Sequence, residues 1–244
     1  MKIALRSERM VVISDLHIGN PFSEARRELN AFFSACLKRR YDICINGDGF
    51  EILQSSFATL ARDSVSILQQ LRRFSEEGLK VVYVVGNHDI ALEHVLTATS
   101  QYMICPFVNL TSGERRIRIE HGHLYDPSFV KHPVLYEMLT RAAGPLLHFY
   151  PDVYRVWSRY QALRDRLRPS SPEGSKVCVY EEAADMLLRR GFDTVVFGHT
   201  HRACSTRRKD GGLYVNTGTW MQGGHYAEVV EGEVTLKVWD GHSL

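Results

Sequence analysis

Five short clusters of glycine, histidine and aspartate each follow directly on a run of β-branched residues. This recurrence constrains the fold more than any other feature of the 244-residue chain. Met10–Ser14 (MVVIS) leads into Asp15-Leu16-His17, and Asp42–Asn46 (DICIN) into Gly47-Asp48. Leu79–Val85 (LKVVYVV) leads into Gly86-Asn87-His88-Asp89, and Arg115–Glu120 into His121-Gly122-His123. Asp193–Phe197 (DTVVF) leads into Gly198-His199-Thr200-His201. Short apolar runs bounded by polar or Gly residues read as buried strands, and open α/β sheets gather their ligands at the carboxyl ends of such strands.

Between the first two strands, Phe22–Arg40 carries Leu29, Phe32, Phe33, Cys36 and Leu37 at helical spacing. Pro21 is suited to the first turn, where no N–H is needed. Between the next two strands, Thr59–Glu77 is expected to be a helix that buries Leu60, Val65, Leu68, Leu71 and Phe74, with Gly78 as its stop. Strand–helix–strand–helix–strand predicts a parallel α/β core. Arg115–Glu120, Leu213–Asn216, Tyr226–Val230 and Val234–Trp239 are expected to form a second sheet packed on the first. The segment 127–172 breaks the rhythm: it is rich in aromatics and Arg, is divided by prolines and reads as helical. The expected organisation is therefore a core of residues 1–126 and 173–244 with a helical cap insertion at 127–172.

Net charge is +2, so whole-molecule electrostatics exclude little. From Lys131 to Arg168, however, seven basic residues face three acidic ones, which places the basic excess within the insertion. No run approaches the ~18 apolar residues of a membrane-spanning helix, and the charged N-terminus does not read as a signal peptide. A cytoplasmic location follows as an expectation. The five cysteines (Cys36, Cys44, Cys105, Cys178, Cys204) are odd in number and scattered, which argues against a disulfide framework or a thiolate zinc site.

Four histidines (His17, His121, His199, His201), two aspartates (Asp15, Asp48) and Asn87 form a set of imidazole and oxygen donors suited to Mn, Fe, Zn, Co or Ni. Asp15 and His17, two residues apart in extended backbone, would point the same way, as would His199 and His201. His123 and Asp126 extend the fourth cluster as HGHLYD and are expected to support the site or shape its turn rather than ligate.

In order, D-x-H, G-D-x-x-E, G-N-H-D, H-G and G-H-x-H resemble the calcineurin-like metallophosphoesterases, from Asp15 to His201. The resemblance implies a four-layered α/β/β/α sandwich with two divalent metal ions, Mn²⁺ foremost. It implies that Asp15, His17, Asp48 and His201 hold one metal, and that Asp48 bridges to a second held by Asn87, His121 and His199. His88 would lie beside the scissile phosphate, with Asp89 orienting its ring. Two divalent cations against two carboxylates leave a positive centre that attracts phosphate and activates a bridging hydroxide.

The family's protein Ser/Thr phosphatases carry an Arg soon after G-D-x-x-D. Here Glu51 is followed by Ile52-Leu53-Gln54, which argues against that activity. Gly47-Asp48-Gly49-Phe50-Glu51, the insertion and the final G-H-x-H-R look like the UDP-2,3-diacylglucosamine pyrophosphatase group. In that group the insertion caps acyl chains and the enzyme works at the inner membrane face. Apolar residues between Val134 and Trp157 would line such a cap, with Arg155 and Arg159 near phosphate. The best-known members have Arg where this chain has His88, which fits the broader family. The expected substrate is a phosphodiester or pyrophosphate, lipid-linked or a nucleotide sugar. The alternatives are a nuclease, a cyclic-nucleotide phosphodiesterase or a non-catalytic scaffold. All seven ligand positions are intact, which favours an enzyme, and the lack of an extended Lys/Arg stripe argues against nucleic acid.

Overall fold

The computed structural model describes residues 4–23, 25–99, 101–132, 134, 138, 139, 141, 176–221, 223–242 and 244. The first half of the chain alternates strands and helices: β1 (Ala4–Arg6), β2 (Arg9–Ile13), α1 (Ala25–Lys38), β3 (Asp42–Asn46), α2 (Phe57–Glu76), β4 (Val81–Val84), β5 (Thr97–Ala98) and β6 (Tyr102–Cys105). Next come β7 (Phe107–Ser112), β8 (Arg115–Glu120), α3 (Pro127–Lys131), α4 (Lys176–Arg189), β9 (Thr194–Phe197), β10 (Cys204–Arg207), β11 (Leu213–Asn216), β12 (His225–Val230) and β13 (Glu233–Val238).

Two sheets result. The first runs β13-β12-β2-β3-β4-β6-β5, with β2, β3, β4 and β6 mutually parallel. The second runs β1-β7-β8-β9-β11-β10, with β8, β9 and β11 parallel. Side chains alternate across a strand, and β2 shows the consequence. Val11 and Ile13 face α1 and α2, among Phe32, Phe33, Ile67 and Phe74. Met10 and Val12 face the other sheet, among Val108, Ile117, Val196 and Val215. A third cluster packs Tyr180, Ala184 and Leu187 of α4 on Val195 and Phe197 of β9. Three cores between four layers make the α/β/β/α sandwich. Cys36, Cys44 and Cys105 are buried free thiols and Cys204 is half-buried. No helix among the described residues is long and apolar enough to cross a membrane.

Two expectations are corrected. Tyr226–Val230 and Val234–Trp239 belong to the first sheet: β12 lies antiparallel beside β2, and β13 returns on β12. The link, Glu231-Gly232, has positive φ at both residues (48° and 89°), the backbone of the tight hairpin turns that match strand twist. β9, to which the pattern assigned no sheet, lies in the second sheet between β8 and β11. Periodicity identifies a strand but carries no record of its neighbours.

The second correction concerns α2. Its buried side is Asp63, Ser64, Ile67, Leu71 and Phe74, whereas Val65 and Leu68 are about half exposed (50% and 51%). At about 100° per residue, positions 64, 67, 71 and 74 fall in one arc that excludes 65 and 68. Two polar residues on the inner side hid that arc.

Of the expected cap, α3 and a few residues up to 141 are described. Arg155 and Arg159 lie outside the described residues.

The face assignment of α2 has a direct test by urea unfolding. Ile67→Ala should cost about 2–5 kcal/mol, and Leu68→Ala should stay within about 0.5 kcal/mol. Equal losses would restore the stripe expected from the sequence.

Candidate metal centre

Every candidate ligand lies on a loop leaving the carboxyl end of a parallel strand: 14–20 after β2, 47–51 after β3, 85–89 after β4, 121–126 after β8 and 198–202 after β9. The pairing of β2 with β3 continues past the strands, since Asp15 N donates to Gly47 O (3.1 Å) and His17 N to Asp48 O (2.9 Å). Asp15-Leu16-His17 is not extended, which corrects the expected geometry. Asp15, His17, Asp48, His199 and His201 all have φ between 46° and 64°. Left-handed backbone at a non-glycine residue costs about 1–3 kcal/mol and clusters at functional sites. Glycines permit close approaches here. A Cβ on Gly86 would collide with Asp48 Oδ1, and one on Gly198 would stand 2.8 Å from Asp15 Oδ2.

The side chains converge in overlapping clusters of mutually close ligand atoms: Asp15, His17 and His201; Asp48, His121 and His199; and His17, Asp48 and His88. The hydrogen bonds around them settle which atoms are left free. His17 Nδ1 lies 2.9 Å from Glu51 Oε2, and His121 Nδ1 lies 2.8 Å from Asn46 O. Both partners are acceptors, so in each neutral ring Nε2 carries a lone pair. That of His17 faces His201 Nε2 at 3.3 Å. That of His121 faces Asp48 Oδ2 at 3.2 Å and Asn87 Oδ1 at 3.3 Å. Asp15 Oδ2 accepts from Ser14 Oγ and from His199 N, while buried Asp15 Oδ1, 3.0 Å from His201 Nε2, has no hydrogen-bonded partner. With the rings neutral, these facing nitrogen and oxygen atoms fit a cation between them, and the oxygen–imidazole donor set suits a divalent transition metal.

Protonation follows the same crowding. Burial would lower His121, but the Asp48 carboxylate overrides it and lifts the ring to about 10. Burial likewise opposes, and Asp48 and Glu51 together outweigh it, in lifting His88 to about 9. Burial would raise Glu51, yet hydrogen bonds from His17 and His88 bring it down to about 2. Asp15 also falls to about 2, with His201 overcoming burial. Burial, aided by the positive field of His121, drops His123 to about 3.

Glu51 is the residue that the strand-end pattern passed over, although it closes G-D-x-x-E. It is fully buried and bonds both His17 Nδ1 and His88 Nδ1, the latter at 2.6 Å. The expected orienter of His88, Asp89, is engaged elsewhere. Its carboxylate accepts from Gly49 N, Gly86 N and Tyr83 Oη, tying the loops after β3 and β4 together. Ser14 and Thr217, whose hydroxyls are 2.7 Å apart, support Asp15. They are 203 residues apart in the chain and gave no local signal. His123 is buried with neither ring nitrogen hydrogen-bonded, and lies 5.5 Å from His121 between ring centroids. Asp126 contacts His199, and neither His123 nor Asp126 is a member of the ligand clusters among the described residues.

Four layers with histidines and carboxylates gathered at the strand ends of both sheets define the metallophosphoesterase type of sandwich. The calcineurin-like phosphoesterase profile matches residues 8–203, and the chain belongs to that family. It is 27% identical over 199 residues to the UDP-2,3-diacylglucosamine hydrolase of Nitrosococcus oceani, covering 78% of this chain and 77% of that protein. Among solved structures, it is similar to a point mutant of a cold-active protein tyrosine phosphatase (13% identity, 99% and 81% of the two chains, TM-score 0.49). It is also similar to zinc-bound Vps29 of Entamoeba histolytica (13% identity, 96% and 99%, TM-score 0.43).

The raised histidines give a pH test on chelated protein. Their folded pKa values exceed the unfolded value of about 6.5, so their stabilisation is complete below that value and is lost as pH rises through 9–10. The melting temperature in EDTA should fall from pH 7 to pH 10. A flat profile would contradict the raised values.

Proposed function

We propose that the protein is a hydrolase dependent on two divalent metal ions, Mn²⁺ foremost with Fe, Zn, Co or Ni as alternatives, acting on a phosphodiester or pyrophosphate bond. One observation carries this reading: Asp48 Oδ2 faces both sides of the site, 3.2 Å from His121 Nε2 and 3.9 Å from His17 Nε2. A single carboxylate oxygen shared between two nitrogen-rich clusters suits a bridge. Asp15, His17, Asp48 and His201 would hold one ion, and Asp48, Asn87, His121 and His199 the other. Bound ions supply Lewis acidity toward the phosphoryl group and a low-pKa water for in-line attack.

The remaining work falls to the chain's own residues. His88 has Nδ1 on Glu51 and a raised pKa, which leaves a protonated Nε2 to donate to the leaving oxygen. Glu51 accepts from both rings, so it sets a ligand and a proton donor at once. Asp89 serves by tying two loops and not through the His88 ring.

For the substrate, two features favour a lipid-linked or nucleotide-sugar phosphoester such as UDP-2,3-diacylglucosamine. One is the activity in the name of the Nitrosococcus oceani relative. The other is a set of exposed apolar side chains on segments that follow β3 and β8: Phe57 (86%), Leu124, Val130, Val134, Met138 and Leu139. In this reading residues 1–126 and 173–244 are the catalytic core. The segment 127–172 caps the site, brings Arg155 and Arg159 to phosphate, and meets the inner membrane face from the cytoplasm.

Mn²⁺-dependent hydrolysis of bis(p-nitrophenyl) phosphate, beside the monoester p-nitrophenyl phosphate, tests the chemistry. Diester turnover should vanish with chelator and return with metal. Absence of turnover with both positions filled would favour the scaffold alternative. His88→Asn should keep both metals and lose turnover by about 10²–10⁴-fold, whereas Asp48→Asn should lose metal as well. Wild-type turnover in His88→Asn would remove His88 from the reaction.

A further inference from the structure

Each imidazole that would bind metal needs one nitrogen free and unprotonated, and in two of the rings the structure shows which nitrogen is engaged by an acceptor. Glu51 takes Nδ1 of His17, and the Asn46 carbonyl takes Nδ1 of His121. His199 is held differently. Its Nε2 lies 3.4 Å from Asp126 Oδ2, its backbone N–H donates to Asp15 Oδ2, and its ring stands 5.2 Å from that of His121.

Asp126 is itself buried and firmly placed. Its N–H donates to His123 O (3.1 Å), and its carbonyl accepts from Val130 N (3.0 Å) in the first turn of α3. Although it is a carboxylate beside the site, Asp126 joins none of the clusters of mutually close ligand atoms among the described residues. Its carboxylate meets the ring of His199 at Nε2.

Resting on the two-metal reading, we propose that Asp126 is a positioning residue that keeps the proton of His199 on Nε2. Nδ1 is then the nitrogen left with the lone pair. A neutral imidazole has one N–H, and an acceptor on one nitrogen decides where it sits. Such outer carboxylates typically change metal affinity by about 10–100-fold when removed. The H-L-Y-D end of the fourth cluster would thus do for His199 what G-D-x-x-E does for His17. In this way the turn that follows β8 acts on a ligand carried by the turn that follows β9.

Two measurements on the full chain test this. The first is a Mn²⁺ titration read by the paramagnetic resonance of free Mn²⁺ on wild type, Asp126→Ala and Asp126→Asn. Wild type should bind two ions. Asp126→Ala should weaken one of them about 10–100-fold and leave the other unchanged. Asp126→Asn should stay near wild type, because its amide oxygen still accepts from Nε2. Wild-type affinities for both ions in folded Asp126→Ala would overturn the proposal, as would equal losses in the two variants.

The second measurement is long-range ¹⁵N–¹H correlation of the histidine rings in chelated wild type, which needs no variant to fold. His199 should show the Nε2–H tautomer, and the Nδ1–H tautomer would overturn the proposal. Wild type binding fewer than two ions would instead remove the two-metal reading, a failure visible in the first titration and separate from the tautomer result.

Discussion

Imidazole nitrogens and carboxylate oxygens crowded against one another at the strand ends are the constraint on which the rest of this molecule depends. Asp15 Oδ1, His201 Nε2 and His17 Nε2 crowd one side, and His121 Nε2, Asp48 Oδ2 and Asn87 Oδ1 crowd the other. An unsatisfied buried polar atom costs about 1–3 kcal/mol, and Asp15 Oδ1 is one. Such an arrangement persists because a large, rigid scaffold imposes it and because a cation among the donors can repay it.

The scaffold imposes it through strand ends. Parallel strands of two sheets finish side by side, and their loops then pair backbone to backbone, as Asp15 N does with Gly47 O. That pairing uses left-handed backbone at Asp15, His17 and Asp48. The strain is tolerable because three hydrophobic layers beneath fix the strands themselves. Around the candidate ligands lie the acceptors Glu51 and Asn46 O and donors such as Ser14, which engage one atom of a ring or carboxylate and leave the other.

The order of the elements, the two-layered β core and the seven candidate ligands were legible because they leave local marks. A β-branched run followed by Gly, His and Asp is visible wherever it occurs. The geometry of Asp15-Leu16-His17 was not, since the extended reading lacked the hydrogen bonds from the neighbouring loop that hold it left-handed. The supporting residues were hardest to see. Glu51 stood in a recognisable motif, but its double bond to His17 and His88 is a tertiary fact. Thr217 reaches Ser14 across most of the chain.

The sequence by itself determined which residues could bind metal and that they would sit at the carboxyl ends of strands, because composition and periodicity are local properties. Tertiary structure alone decided that β12 and β13 join the first sheet and that α2 turns Ile67 inward rather than Leu68. It also decided that Glu51, and not Asp89, holds His88. These depend on which surface meets which, and on competition among several acceptors for one N–H, and both are settled only when distant segments pack together.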